Sequence, residues 1–87
     1  MDLGEAYELD PKVSLRPEPF GALAYHFGNR RLSFLRSPDM VTVVTSLADH
    51  ESVAETLAAA GIDARRWPSF RSALETLESS EMIRVRN

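Results

Sequence analysis

The sequence contains no cysteine, which excludes disulfides, thiolate zinc sites, iron–sulfur ligation and thiol nucleophiles together. Histidine is scarce: His26 and His50 stand apart, neither with a partner at metal-ligand spacing, so no metal is expected. The four glycines, at positions 4, 21, 28 and 61, build no phosphate-cradling loop, and the serines form no nucleophile elbow. Nearby carboxylates such as Glu75 and Glu78 fit a solvated helix surface better than an acid/base pair. No apolar run approaches the ~18 residues of a membrane span. The acidic stretch Met1 to Asp10 lacks the basic and apolar regions of a secretory signal, so a cytoplasmic location is the expectation. Positive charge is also short: ten Lys and Arg against thirteen Asp and Glu give −3, which disfavours an electrostatic grip on nucleic acid or anionic lipid. With no motif for a cofactor or for bond chemistry, the chain reads as a binding module and not as an enzyme.

What is present suits one small domain. The 87 residues are 44% hydrophobic, and a chain of this size buries roughly 60–65% of its extended surface on folding. Residues 1–12 read as a weakly ordered amino-terminal arm and residues 13–87 as a single domain. Val13 to Arg16 alternates as a short first strand, ended by Pro17 and Pro19. Gly21 to Phe27 and Arg30 to Arg36 are strand-forming runs around Gly28-Asn29, a dipeptide suited to a two-residue primed turn. That turn pairs Tyr25 with Leu32, Leu23 with Phe34, Ala24 with Ser33 and His26 with Arg31. It predicts that Leu23, Tyr25, Leu32 and Phe34 face the core. Ser37-Pro38-Asp39 predicts a helix start, with Met40, Val43, Val44 and Leu47 on one face. Asp49 is the expected cap of a second helix over Glu51 to Ala60, stopped by Gly61. A third helix follows Pro68, with Phe70, Ala73, Leu74 and Leu77 inward, and Met82 to Arg86 alternates again, as a short terminal strand or as an extended segment packed on the core.

Three strands followed by three helices predict an α+β fold, a three-stranded antiparallel sheet covered on one face in winged-helix-like fashion. The third strand is then an open sheet edge. Arg30, Arg31 and Arg36 either blunt that edge, or Arg31 and Arg36 steer an acidic peptide toward it. The alternative for such a fold is a winged-helix DNA-binding regulator. Its recognition helix would need basic donors, whereas the third helix region offers Arg71 against Glu75, Glu78 and Glu81.

The block V-S-L-R-P-E-P-F-G-A-L-A-Y-H-F-G at Val13 to Gly28, with R-L-S-F-L at Arg31 to Leu35, strongly resembles the mycofactocin-system peptide chaperone family (MftB). That family is similar to the wider PqqD-like group of precursor-peptide recognition elements. The resemblance covers nearly the whole chain from Tyr7, but matches the second and third helices only in pattern. It implies a chaperone, without cofactor, that binds the leader of a ribosomally made precursor peptide and presents it to a radical S-adenosylmethionine maturase. It further implies that the leader adds as a strand beside the third strand and packs on the third helix. Carried over, the peptide-binding positions are Arg31, Leu32, Ser33, Phe34 and Leu35, with Phe70, Arg71, Leu74, Leu77 and Glu78. Arg16, Glu18 and Phe20, in the R-P-E-P-F-G segment, are candidates to face the maturase; the alternative is structural, with Arg16 pairing with an acid while the prolines and Gly21 shape the crossing from the first strand to the second.

Overall fold

Two antiparallel sheets and three helices make up the fold in a computed structural model, which describes residues 1–86. The main sheet contains β2 (Val13–Glu18), β3 (Gly21–His26) and β4 (Leu32–Leu35), in that order. A second, two-stranded sheet pairs β1 (Tyr7–Leu9) with β5 (Ile83–Val85). Between β4 and β5 lie α1 (Pro38–Ser46), α2 (Val53–Ala59) and α3 (Trp67–Ser79).

The helix signals act as expected at most ends. The Ser37 hydroxyl accepts the Met40 N–H at 3.1 Å and Pro38 occupies the first turn of α1. Met40, Val43, Val44 and Leu47 are all buried. Gly61 takes a left-handed conformation, φ 74°, and the Ile62 N–H closes back on the Leu57 carbonyl at 3.0 Å. In α3, Phe70, Leu74 and Leu77 are buried. The cap of α2 is Ser52 and not Asp49: its side chain accepts the Glu55 N–H at 3.0 Å while Glu55 accepts the Glu51 N–H at 3.0 Å. This serine–glutamate exchange at i and i+3 outcompetes the aspartate three residues upstream.

Three further expectations are corrected. Part of the segment read as a weakly ordered arm is structured: Tyr7 is buried and pairs with Val85, and the Leu3 and Glu5 carbonyls accept the Ala54 and Val53 N–H groups at 2.9 and 3.0 Å. A three-residue strand is too short to show a period, and its partner lies at the opposite end of the sequence. The hairpin register is as expected, with Leu23 opposite Phe34 and Tyr25 opposite Leu32. Its loop, however, is not the two-residue primed turn. The His26 carbonyl takes the Arg30 N–H at 2.8 Å, His26 Nδ1 accepts the Gly28 and Asn29 N–H groups, and Arg30 itself adopts φ 63°.

The third correction concerns which face of the sheet is inside. Ala22, Ala24, His26 and Leu35 face the helices and are buried, while Leu32 and Phe34 remain 57% and 56% exposed. Both faces carry apolar residues, so alternation alone does not choose between them. The small side chains of Ala22 and Ala24 let α1 lie close on β3, which the bulk of Leu23 and Tyr25 would prevent.

Candidate functional site

Backbone pairing decides which edge of the main sheet is open. The His26 N–H donates to the Arg31 carbonyl at 3.0 Å, which makes that pair a hydrogen-bonded one. Alternation along the ladder then directs the N–H and C=O of Ser33 and Leu35 inward to β3, and those of Leu32 and Phe34 outward. Neither Leu32 nor Phe34 finds another backbone partner among the described residues. The opposite edge is better protected. The Phe27 N–H donates to Lys12 at 2.9 Å, so the outward positions of β2 are Val13, Leu15 and Pro17. The Val13 N–H is used by the Asp10 carbonyl at 2.9 Å, and Pro17 has none. Only Leu15 keeps an outward donor on that side, whereas β4 offers two.

Beside β4 runs a groove of about 560 Å³, walled on its other side by α3. At 3.6 residues per turn, Ser69, Ala73, Thr76 and Ser80 form one stripe along the helix, and all four line the groove. Their small side chains leave the space between helix and strand. Phe70, Leu77 and Met40 form an apolar floor. Both ends are tied. Asn29 Nδ2 and Arg31 Nη1 donate to the Ser80 and Ser79 carbonyls at 3.2 and 3.3 Å, and Arg66 pairs with Asp39 at 3.1 Å. Arg66 also lies over the Phe70 ring, 5.1 Å from its centroid.

Among the described residues the only charged ones lining the groove are Arg36 and Arg66, in a chain of net charge −3. Arg36 makes no ion pair among the described residues. The space beside the edge is therefore apolar at its floor and positive where it is charged.

Of the sequence-derived peptide positions, Leu32, Ser33, Phe34, Leu35, Phe70 and Leu77 come together at this groove. Leu74 is fully buried in the core. Arg71 and Glu78 project from the opposite flank of α3, where Arg71 meets Glu75 at 3.7 Å and Glu78 accepts the Tyr7 hydroxyl at 3.0 Å. Arg31 acts at the groove's end through its bond to Ser79. Sequence reasoning missed the Ser69, Ala73, Thr76, Ser80 stripe. The spacing i, i+4, i+7, i+11 was visible, but Ser69, Thr76 and Ser80 read as solvent-facing unless something is known to lie opposite them, and Ala73, expected inward, is half-buried at the groove wall. Met40, Arg66 and Ser37 were missed because they arrive from other elements.

Arg16, Glu18 and Phe20 lie elsewhere. Arg16 pairs with Glu18 at 2.8 Å on the far edge strand, as its acid-pairing alternative foresaw. Gly21 allows the close crossing beside them: a Cβ there would stand 2.1 Å from the Leu35 carbonyl oxygen. Phe20 is exposed and packs on Phe34 with ring centroids 5.9 Å apart. Among the described residues no group of three or more metal-ligating side chains converges, and no helix is long and apolar enough to cross a membrane.

Residues 6–84 match the family model described as the peptide chaperone MftB family. Over 82 residues the chain is 45% identical to the peptide chaperone MftB of Mycobacterium ulcerans, covering 94% of this chain and 75% of that protein. It is 46% identical over 78 residues to its counterpart in Mycolicibacterium smegmatis, covering 90% and 76%. For the Mycobacterium tuberculosis protein the figures are 42% over 82 residues, 94% and 75%. No solved structure matches.

Proposed function

Because the chain belongs to the peptide chaperone MftB family, a family of non-catalytic binding proteins, we propose that it holds the leader of a mycofactocin precursor peptide as an added strand on β4. The observation that carries this reading is an open edge, with the backbone groups of Leu32 and Phe34 directed outward, lying beside a groove of about 560 Å³ between β4 and α3. An extended peptide beside β4 would bond to the outward groups of Leu32 and Phe34, and alternate side chains would drop toward Phe70 and Leu77. Arg36, which has no ion-pair partner among the described residues, favours an acidic segment and raises the rate of encounter.

The chaperone role follows from what such a site does to a flexible chain. A leader held in one extended register leaves the segment beyond it at a defined distance and direction. In this reading a cytoplasmic radical S-adenosylmethionine maturase meets a positioned substrate, while the present chain contributes no bond chemistry. Arg16 and Glu18, on the far edge strand, are candidates to face that enzyme, whereas Phe20 stands against Phe34 at the β4 edge. DNA binding finds little support on α3, whose one outer arginine, Arg71, already has Glu75 beside it.

Titration of the ¹⁵N-labelled chain with a synthetic precursor leader tests the reading. The amides of Leu32, Phe34 and the Ser69 to Ser80 stripe should shift together, with new exchange protection at Leu32 and Phe34. Shifts confined to β2 or to the Arg71–Glu78 flank would refute it.

A further inference from the structure

β4 separates two cavities, and the second has no role in the reading so far. On the outer face of the sheet, Phe20, Phe34 and Arg36 enclose a depression of about 360 Å³. Phe34 and Arg36 also line the groove on the helix side, so the two cavities are continuous around the same edge. The Phe20 and Phe34 rings are tilted at 59°, and the Arg36 guanidinium stands 5.8 Å from the Phe34 centroid. Phe20 and Phe34 are 42% and 56% exposed, a large apolar area left in contact with water.

Resting on the strand-addition reading, we infer that this depression is a second subsite, which reads the outward-facing side chains of the bound peptide. Successive side chains of an added strand point to opposite faces. Those directed away from the groove must therefore pass beside Phe34. A neighbouring strand brings directly opposed side chains to about 5 Å, within reach of both rings. The subsite fits an aromatic side chain, which can pack against the tilted Phe20–Phe34 pair in an edge or offset arrangement. Two residues beyond Phe34, just past the end of β4, comes Arg36, which lacks an acidic partner among the described residues. The ligand class is thus an extended peptide carrying an aromatic residue and a carboxylate at i and i±2, with its groove-facing residues between and beyond them.

This subsite also fixes the ligand's register. Backbone pairing alone tolerates a shift of the peptide by two residues, because the hydrogen-bond pattern repeats with that period. An aromatic–acid pair matched to Phe20, Phe34 and Arg36 removes that freedom.

Selection of phage-displayed random dodecapeptides against the immobilised full chain tests the assignment. Parent, Phe20→Ala, Arg36→Glu and Leu32→Pro are compared, each first shown folded by its amide spectrum. The parent should enrich peptides with an aromatic residue two positions from Asp or Glu. Phe20→Ala should lose the aromatic preference and bind a synthetic parent-selected peptide about tenfold more weakly, ~1.4 kcal/mol. Arg36→Glu should exchange the acid for Lys or Arg. If Phe20→Ala and Arg36→Glu select the parent's peptides with unchanged affinity while Leu32→Pro selects none, the subsite is wrong and strand addition stands. Equal selection by Leu32→Pro, or no enrichment by the parent, would overturn both. Aromatic–acid peptides that bind with no dependence on Phe20 also sink the subsite and leave this face to another protein surface.

Discussion

At the scale of single residues, Tyr7 shows how a side chain outside any recognisable motif joins two ends of the chain. Its ring is buried and its hydroxyl donates to Glu78 at 3.0 Å. Burial first, and then the Glu78 carboxylate, push its pKa from 10.0 up to about 12. The unfolded chain ionises this phenol near 10 while the folded chain resists, so the contribution to stability is complete below pH 10 and is lost as pH rises toward 12. Denaturant unfolding at successive pH values should show the parent losing more stability between 10 and 12 than Tyr7→Phe does. Parallel curves for the two would contradict the assignment.

Among the elements, β4 matters most, and its two kinds of residue predict opposite outcomes. Leu32 presents its N–H to the open edge and Ser33 presents its own to β3. Leu32→Pro should therefore leave the fold intact, as prolines on edge strands do, and weaken leader binding at least tenfold, about 1.4 kcal/mol. Leu32→Ala, which keeps the donor, should lose less. Ser33→Pro removes a ladder bond and should lower thermal stability before binding is considered. Circular dichroism melts and calorimetric titration of the three variants separate these effects; equal binding by Leu32→Pro and the parent would refute pairing at that position.

For the molecule as a whole, the groove is a gap between layers and not a cavity cut into one. The sheet packs on α1 through Ala22, Ala24 and Leu35, and α3 packs on the same core through Phe70, Leu74 and Leu77. Strand and helix stay apart because small residues face the gap and because Asn29–Ser80 and Arg66–Asp39 tie its two ends. Thr76 is exposed there and its hydroxyl bonds only back to Ser72. Thr76→Trp should fill the gap, leaving stability within about 0.5 kcal/mol while reducing leader affinity by more than tenfold. Unchanged affinity in the folded variant would place the peptide elsewhere.

Much of this was legible in the sequence because it depends on neighbours a few positions apart. The Ser37-Pro38-Asp39 start, the Gly61 stop and the apolar stripe of α3 are local signals, set by caps, backbone conformation and the helical repeat. The pairing of Leu23 with Phe34 was legible too, since a short loop leaves few registers. So was the open third strand, the larger part of the candidate site. Which face of that sheet lay inside was not, because Ala22 and Ala24 gain their meaning only from the helix that packs on them. Nor could the sequence place Arg71 and Glu78 away from the groove, or bring Ser69, Ala73, Thr76 and Ser80 opposite β4. Those positions depend on how α3 is rotated about its axis, and that rotation is set by the whole core at once, from Tyr7 at one end to Ile83 at the other.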